Sequence, residues 1–307
     1  MNALLLLFLN SKKIFKKTSS HMKILFWALL FSALIESALA HPGIGIVMDS
    51  KGNVYYTDLK QVWKISPDGS KTIVVSGVHT HELCIDSSDN LYGEHLWYEG
   101  DATKKWGYRV WRLTRDGTLS DVIHARQGFR EDYGDFSFVR DHQGNMYWAD
   151  RGDTTIIRKR LPGGTITAIA REKFKDVRWM TATPTGIVYL IDLYDLVRIN
   201  PDGVVKTIAS DLADWSINRL TGPDKNAIMG LWTDPHGNVY VATLPNRAVK
   251  RVSPDGHVEV VERSPMLWMP TGGFIAPNGD MWLLEYSVTN AARVRRVQKD
   301  GTSKVFD

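Results

Sequence analysis

One pattern recurs six times along this 307-residue chain, and it leaves few folds open. Each copy carries two hairpins. The first reads as an apolar strand, a polar turn and an aromatic-rich strand, as in Ile46-Val47-Met48-Asp49, Lys51-Gly52-Asn53 and Val54-Tyr55-Tyr56. It returns around Asp89-Asn90, Gly144-Asn145 and Gly237-Asn238, and in weaker form around Gly186-Ile187 and Gly279-Asp280. Turns this tight need residues that tolerate positive φ, which is why Gly, Asn and Asp collect there. The second hairpin turns at Pro67-Asp68-Gly69, Arg115-Asp116-Gly117, Pro162-Gly163-Gly164, Pro201-Asp202-Gly203, Pro254-Asp255-Gly256 and Lys299-Asp300-Gly301. Four strands per copy, at a period near 45 residues, predict an all-β, six-bladed β-propeller of four-stranded antiparallel blades. Strand order starts on an inner strand near Gly43 and ends on an outer one at Lys304–Phe306, so closure is expected between intact first and last blades.

The first forty residues do not share the pattern. Met22-Lys23 leads into the apolar run Ile24–Phe31, and Ala38-Leu39-Ala40 supplies a small-x-small cleavage signal. Residues 1–40 are therefore read as a leader whose core, 22–40, is a secretory signal peptide, and 41–307 as the propeller. This predicts a periplasmic or secreted protein with no stable membrane insertion after cleavage. The leader holds five of the 38 basic residues and one of the 34 acidic ones, leaving 33 of each. A formally neutral mature chain gives no electrostatic case for nucleic acid. The single cysteine, Cys84, lies in the apolar segment Leu83-Cys84-Ile85 and reads as a small buried hydrophobe, so a monomer must hold together without disulfides.

The Asp-x-x-Gly-Asn-Val-Tyr and Pro-Asp-Gly pairing across residues 42–306 resembles NHL-type repeats and the related gluconolactonase-like and senescence-marker-like propellers. That resemblance implies the propeller fold, and with it a hydrolase, a lyase or a pure binding module.

Strand alternation puts the short turns on one face and the B–C loops and blade-to-blade crossings on the other. The long segments, His95–Tyr108, His124–Gly134, Asp211–Ile228 and Arg263–Pro270, all fall on this second, upper face, where a site is expected. Alignment of the copies on Asn53 places Asp58, His95, Asp150, Asp192, Thr243 and Glu285 at the upper end of the second strand. Gly45, Glu82, Ser137, Trp179, Gly230 and Gly272 fall at the channel end of the first. Glu82, in His79-Thr80-His81-Glu82, stands beside Glu94-His95 on the next strand. A carboxylate with imidazoles at a funnel mouth could supply a general base or hold one divalent cation, so His81, Glu82 and His95 are the candidate catalytic residues. Asp58, His79, Trp97, Trp106, Asp150, Arg151, Trp179, Asp192 and Glu285 are candidate ligand contacts.

The gluconolactonase-like family holds a divalent metal through a Glu, two Asn and an Asp on separate blades. The resemblance implies Glu82, Asp150 and Asp192 as counterparts, although no Asn stands at either aligned position. Two functions stay open: a metal-assisted hydrolase or lyase of a small ester, lactone or sugar-derived substrate, and a non-catalytic propeller presenting tryptophans to a glycan, peptide or protein partner.

Overall fold

A computed structural model describes residues 42–100, 102–128 and 136–307. The leader lies outside the described residues, as do 129–135 of the crossing into blade 3. No helix among the described residues is long and apolar enough to cross a membrane. Pro42–Ser287 and Ala291–Asp307 form one compact unit, the six-bladed propeller expected from the repeat.

Blade 1 comprises β1 (Ile46–Met48), β2 (Val54–Thr57), β3 (Gln61–Ile65) and β4 (Lys71–Ser76). Blade 2 comprises β5 (Leu83–Ile85), β6 (Leu91–Tyr98), β7 (Trp106–Leu113) and β8 (Leu119–Gln127). Within each blade every strand pairs antiparallel with its sequence neighbour. Blade 3 departs from the pattern: its inner segment reaches Met146–Asp150 through a single bridge, Arg140 to Met146.

The recurring Asp-x-x-Gly-Asn-x-Tyr motif has a direct physical cause. Asp49 accepts hydrogen bonds from the Lys51 and Asn53 backbone N–H groups, from Asn53 Nδ2 and from the Tyr55 hydroxyl, the last at 3.1 Å. One carboxylate thus satisfies the turn and pins the aromatic that follows it. Asp86, Asp141 and Asp234 make the same set, each ending on a tyrosine, Tyr92, Tyr147 or Tyr240. Burial and the adjacent Asp push the Tyr240 hydroxyl up to about 12. Gly52 and Gly237 both take φ of +81°, as such turns require.

Apolar clusters fill the spaces between blades. Blade 2 shows the alternation: Leu91 and Trp111 pack toward blade 1, whereas Tyr92, Leu96 and Tyr108 pack toward Phe136 and Phe138 of blade 3. Each such buried side chain contributes about 1.5–3 kcal/mol. Small residues at the channel end of the inner strands are also explained. A Cβ on Gly230 would lie 2.3 Å from Thr271 O, and one on Gly272 would lie 2.1 Å from Ile44 O, so adjacent blades meet there backbone to backbone.

Among the described residues the ring closes between blades 1 and 6 without exchange of a strand. Ile46, Val54 and Tyr56 pack with Trp282, Leu284 and Tyr286. The Tyr286 hydroxyl donates to Thr57 O at 3.0 Å, and Thr271 Oγ1 donates to Gly43 O at 2.7 Å.

Candidate active site

The upper end of blade 2 gathers four of the residues predicted for a site, His79, His81, Glu82 and His95, around a fifth that was not predicted, Glu94. Glu94 is fully buried, and its carboxylate accepts the His81 N–H at 2.6 Å and the Glu82 N–H at 3.2 Å. Its Oε1 also lies 3.5 Å from His81 Nδ1, on a side chain that is 16% exposed. This places a buried carboxylate within ion-pair range of one imidazole nitrogen and leaves Nε2 on the far side of the ring. The His79 and His81 rings meet edge to face at 4.6 Å.

His95 is set differently. Its Nδ1 accepts the His79 N–H at 2.8 Å, so the neutral ring carries its proton on Nε2. Burial, and then the nearby Arg109 guanidinium, hold this imidazole below its ordinary value, opposed by Glu94. The pair therefore offers a carboxylate-oriented imidazole and a neutral imidazole N–H donor within one segment.

Glu94 was legible one column away from where His95 was found. Four residues past Asn53 and its equivalents stand Thr57, Glu94, Ala149, Ile191, Ala242 and Leu284. One charged residue among small and apolar ones marks a position where burial demands a partner.

The segment His95–Tyr108, expected as a long loop, is mostly hairpin. β6 and β7 continue their ladder through His95↔Arg109, Trp97↔Gly107 and Tyr98↔Trp106. Trp97 lies over Gly107, where a Cβ would come within 2.1 Å of the indole, and it stacks on His95 at 5.6 Å. Glycine at 107 is what lets the ring lie flat. Tyr98 and Trp106 pair at the tip with centroids 4.9 Å apart, and each is about 40% exposed. Two crossings are also shorter than expected, because strand continues through Gln127 and Arg263.

Other predicted contacts are engaged elsewhere. Asp58 accepts the Lys60 and Gln61 N–H groups and Trp63 Nε1, so its oxygens serve its own turn. Asp150 pairs with Arg158 at 2.8 Å, and Asp192 accepts the Asp176 N–H at 2.8 Å. Arg151 donates from Nε and Nη2 to Val177 O, linking blades 3 and 4. Trp179 donates to Ile228 O at 2.6 Å and packs on the core between blades 4 and 5. Glu285, fully buried, accepts from Ser264 Oγ, Arg293 Nε and Arg295 Nε.

These engagements bear on the expected metal triad of Glu82, Asp150 and Asp192. Among the described residues no three or more His, Cys, Asp or Glu side chains are grouped so as to hold a metal ion. Asp150 and Asp192 are engaged by Arg158 and by the Asp176 N–H on blades 3 and 4, and they form no such group with Glu82.

No protein-family model and no curated protein matches this sequence. Solved structures do. A streptogramin B lyase superposes with a TM-score of 0.52 at 14% identity, covering 88% of this chain and 85% of that one. A gluconolactonase of Xanthomonas campestris gives 0.54 at 11% identity, covering 81% and 84%. A luciferin-regenerating enzyme gives 0.53 at 12% identity, covering 87% and 89%. The chain thus shares the six-bladed fold of gluconolactonase-like and lyase propellers.

Proposed function

We propose that this protein is an exported hydrolase or lyase acting on a small ester, lactone or sugar-derived substrate through the histidine–carboxylate group of blade 2. The observation that carries this reading is His81 Nδ1 held 3.5 Å from the fully buried Glu94. Glu94 orients the ring and stabilises the imidazolium that forms, and His81 Nε2 moves the proton. In hydrolysis His81 takes a proton from water as the oxygen adds to the carbonyl carbon, then returns it to the departing alkoxide. In elimination the same nitrogen takes a proton from carbon as the carbon–oxygen bond on the neighbouring carbon breaks. His95 Nε2–H, fixed by the His79 N–H, donates to the oxygen on which charge develops. His79 and Glu82 flank the substrate in this reading. The likeness of fold to a gluconolactonase and a streptogramin B lyase supports the reaction class, and the signal-like leader supports a periplasmic or secreted location.

The test is turnover of a panel of lactones, aryl esters and cyclic esters by purified protein, with His81→Asn and Glu94→Gln as partners. Turnover is expected in the parent, with a loss of about 10²–10⁴-fold in His81→Asn. Absence of turnover across the panel, or turnover indifferent to both changes, overturns the reading.

A second reading has its own observation: the exposed Tyr98–Trp106 pair at the hairpin tip suits a glycan or peptide contact. A saturable change in tryptophan fluorescence with an oligosaccharide or peptide, lost in Trp106→Ala and unaccompanied by turnover, would favour it.

A further inference from the structure

We infer that the buried hydroxyls of Thr57, Thr80 and Tyr286 are positioning groups that tie the His81–Glu94 pair to closure of the ring, an inference resting on that pair as the proton-transfer centre. Two hydrogen-bonded paths run from blade 6, across blade 1, to the two members of the pair.

The first path starts at the Tyr286 hydroxyl, which donates to Thr57 O at 3.0 Å. Thr57 Oγ1 donates to Thr80 O at 2.7 Å, and Thr80 Oγ1 donates to Glu94 O at 2.5 Å. Tyr286 is 1% exposed, and Thr57, Thr80 and Glu94 are wholly buried. The second starts at Thr271 Oγ1, which donates to Gly43 O. The next two residues, Ile44 and Gly45, both donate their N–H groups to His81 O at 2.8 Å. One path thus ends on Glu94 and the other on His81.

Thr80 is the knot between them. The residues on either side of it make the contacts that define the site: the His79 N–H goes to His95 Nδ1, and the His81 N–H goes to Glu94 Oε1. At the corresponding place in the other blades stand Gly43, Val177, Ile228 and Pro270, with that of blade 3 outside the described residues. Among these, Thr80 alone carries a hydroxyl, while in blade 6 the next residue, Thr271, makes the matching reach to Leu284 O at 3.4 Å. Thr80 gives its hydroxyl to the strand that bears the carboxylate, while its own carbonyl is held by the blade before it. Gly43 shows how tightly the seam is drawn, since a Cβ there would lie 2.7 Å from Thr57 Cγ2 and 2.8 Å from the Tyr286 hydroxyl.

The test reads the site directly, by amide hydrogen exchange of the full chain followed by NMR. The His81 amide is compared with the amides of Leu190 and Val241, which lie in blades 4 and 5 and report global stability. In Thr80→Val the His81 amide is expected to exchange at least about tenfold faster relative to those controls. Thr80→Ser restores the parent ratio, and Tyr286→Phe gives a smaller increase of the same sign. With an active substrate in hand, Thr80→Val lowers kcat by about tenfold with KM little changed, as a misplaced group does. A folded Thr80→Val with the parent exchange ratio, or a Thr80→Ser as impaired as Thr80→Val, overturns the role of Thr80. An unchanged ratio in Tyr286→Phe overturns the link to closure. If Thr80→Val does not fold, Thr80→Ser and Tyr286→Phe decide the question between them. Failure of the reaction reading looks different: His81→Asn would leave turnover intact while the exchange ratios still respond to Thr80.

Discussion

Glu94 in blade 2 and Glu285 in blade 6 are both wholly buried carboxylates near the upper end of a second strand, yet they keep different company. Glu285 is held by two guanidinium groups, Arg293 at 2.8 Å and Arg295 at 2.9 Å. Arg295 reaches on to Glu262, and Arg293 lies over the Trp268 ring at 3.9 Å. Guanidinium groups do not release protons at accessible pH, so this network can only hold blades 5 and 6 together. Glu94 is held by two backbone N–H groups and one imidazole, and the imidazole is partly open to solvent. Its partner is an imidazole, whose ring nitrogens between them donate and accept hydrogen bonds. Burial makes a carboxylate costly; the identity of its partner decides whether that cost serves packing or chemistry.

The comparison can be broken by removing each carboxylate. In Glu285→Gln two arginines lose the charge that solvates them, and unfolding free energy measured in urea should fall by about 3–5 kcal/mol. Turnover per folded molecule should not change, and a loss of turnover at full folding would place Glu285 back in the site. Glu94→Gln should do the reverse: a stability loss of about 1–2 kcal/mol, because an amide oxygen still accepts the two backbone N–H groups, with turnover down by about 10²-fold. Equal effects on both properties in both variants would erase the distinction.

A finer test uses pH. His95 is held neutral in the folded chain by burial and by Arg109, so the unfolded chain binds a proton more readily. Stability from this group is present above the ordinary histidine value of about 6.5 and is lost as pH falls through it. Urea midpoints should therefore drop between about pH 8 and about pH 5, and His95→Gln should flatten that slope. A slope unchanged by the substitution would show that another group carries it. The smallest expected effect is at Cys84, where burial pushes the thiol up to about 12. Iodoacetamide at neutral pH should leave it unlabelled until urea unfolds the chain; labelling of the native protein would contradict its burial.

The fold was legible because turn chemistry repeats. Asp49, Gly52, Asn53 and Tyr55 satisfy one another through a single carboxylate, so the local sequence has little freedom to vary without losing the turn. The site was half legible. His79, His81, Glu82 and His95 stood out as polar residues near a strand end and do meet. Glu94 did not stand out because it follows Leu91-Tyr92-Gly93 in a strand that reads as core, and core is where it lies. Asp58 and Asp150 misled for the opposite reason. They occupy the right height on the blade, but a carboxylate at a strand end serves a turn or an adjacent arginine equally well, and register alone does not choose. Trp179 and Glu285 were placed in the right column but face neighbouring blades, a difference set by packing across the ring rather than along the chain.

Among the described residues no strand is shared across the join between the first and last blades, which is held by side-chain packing, side-chain bonds to backbone carbonyls and close backbone contact. Such a join is a fault line. Heat should part it before any single blade melts, and the histidine–carboxylate group of blade 2, tied to it through Thr57 and Thr80, would register the parting first. His81 amide exchange should then accelerate before the β-sheet signal is lost on warming, and, under the proposed function, turnover would fall with it.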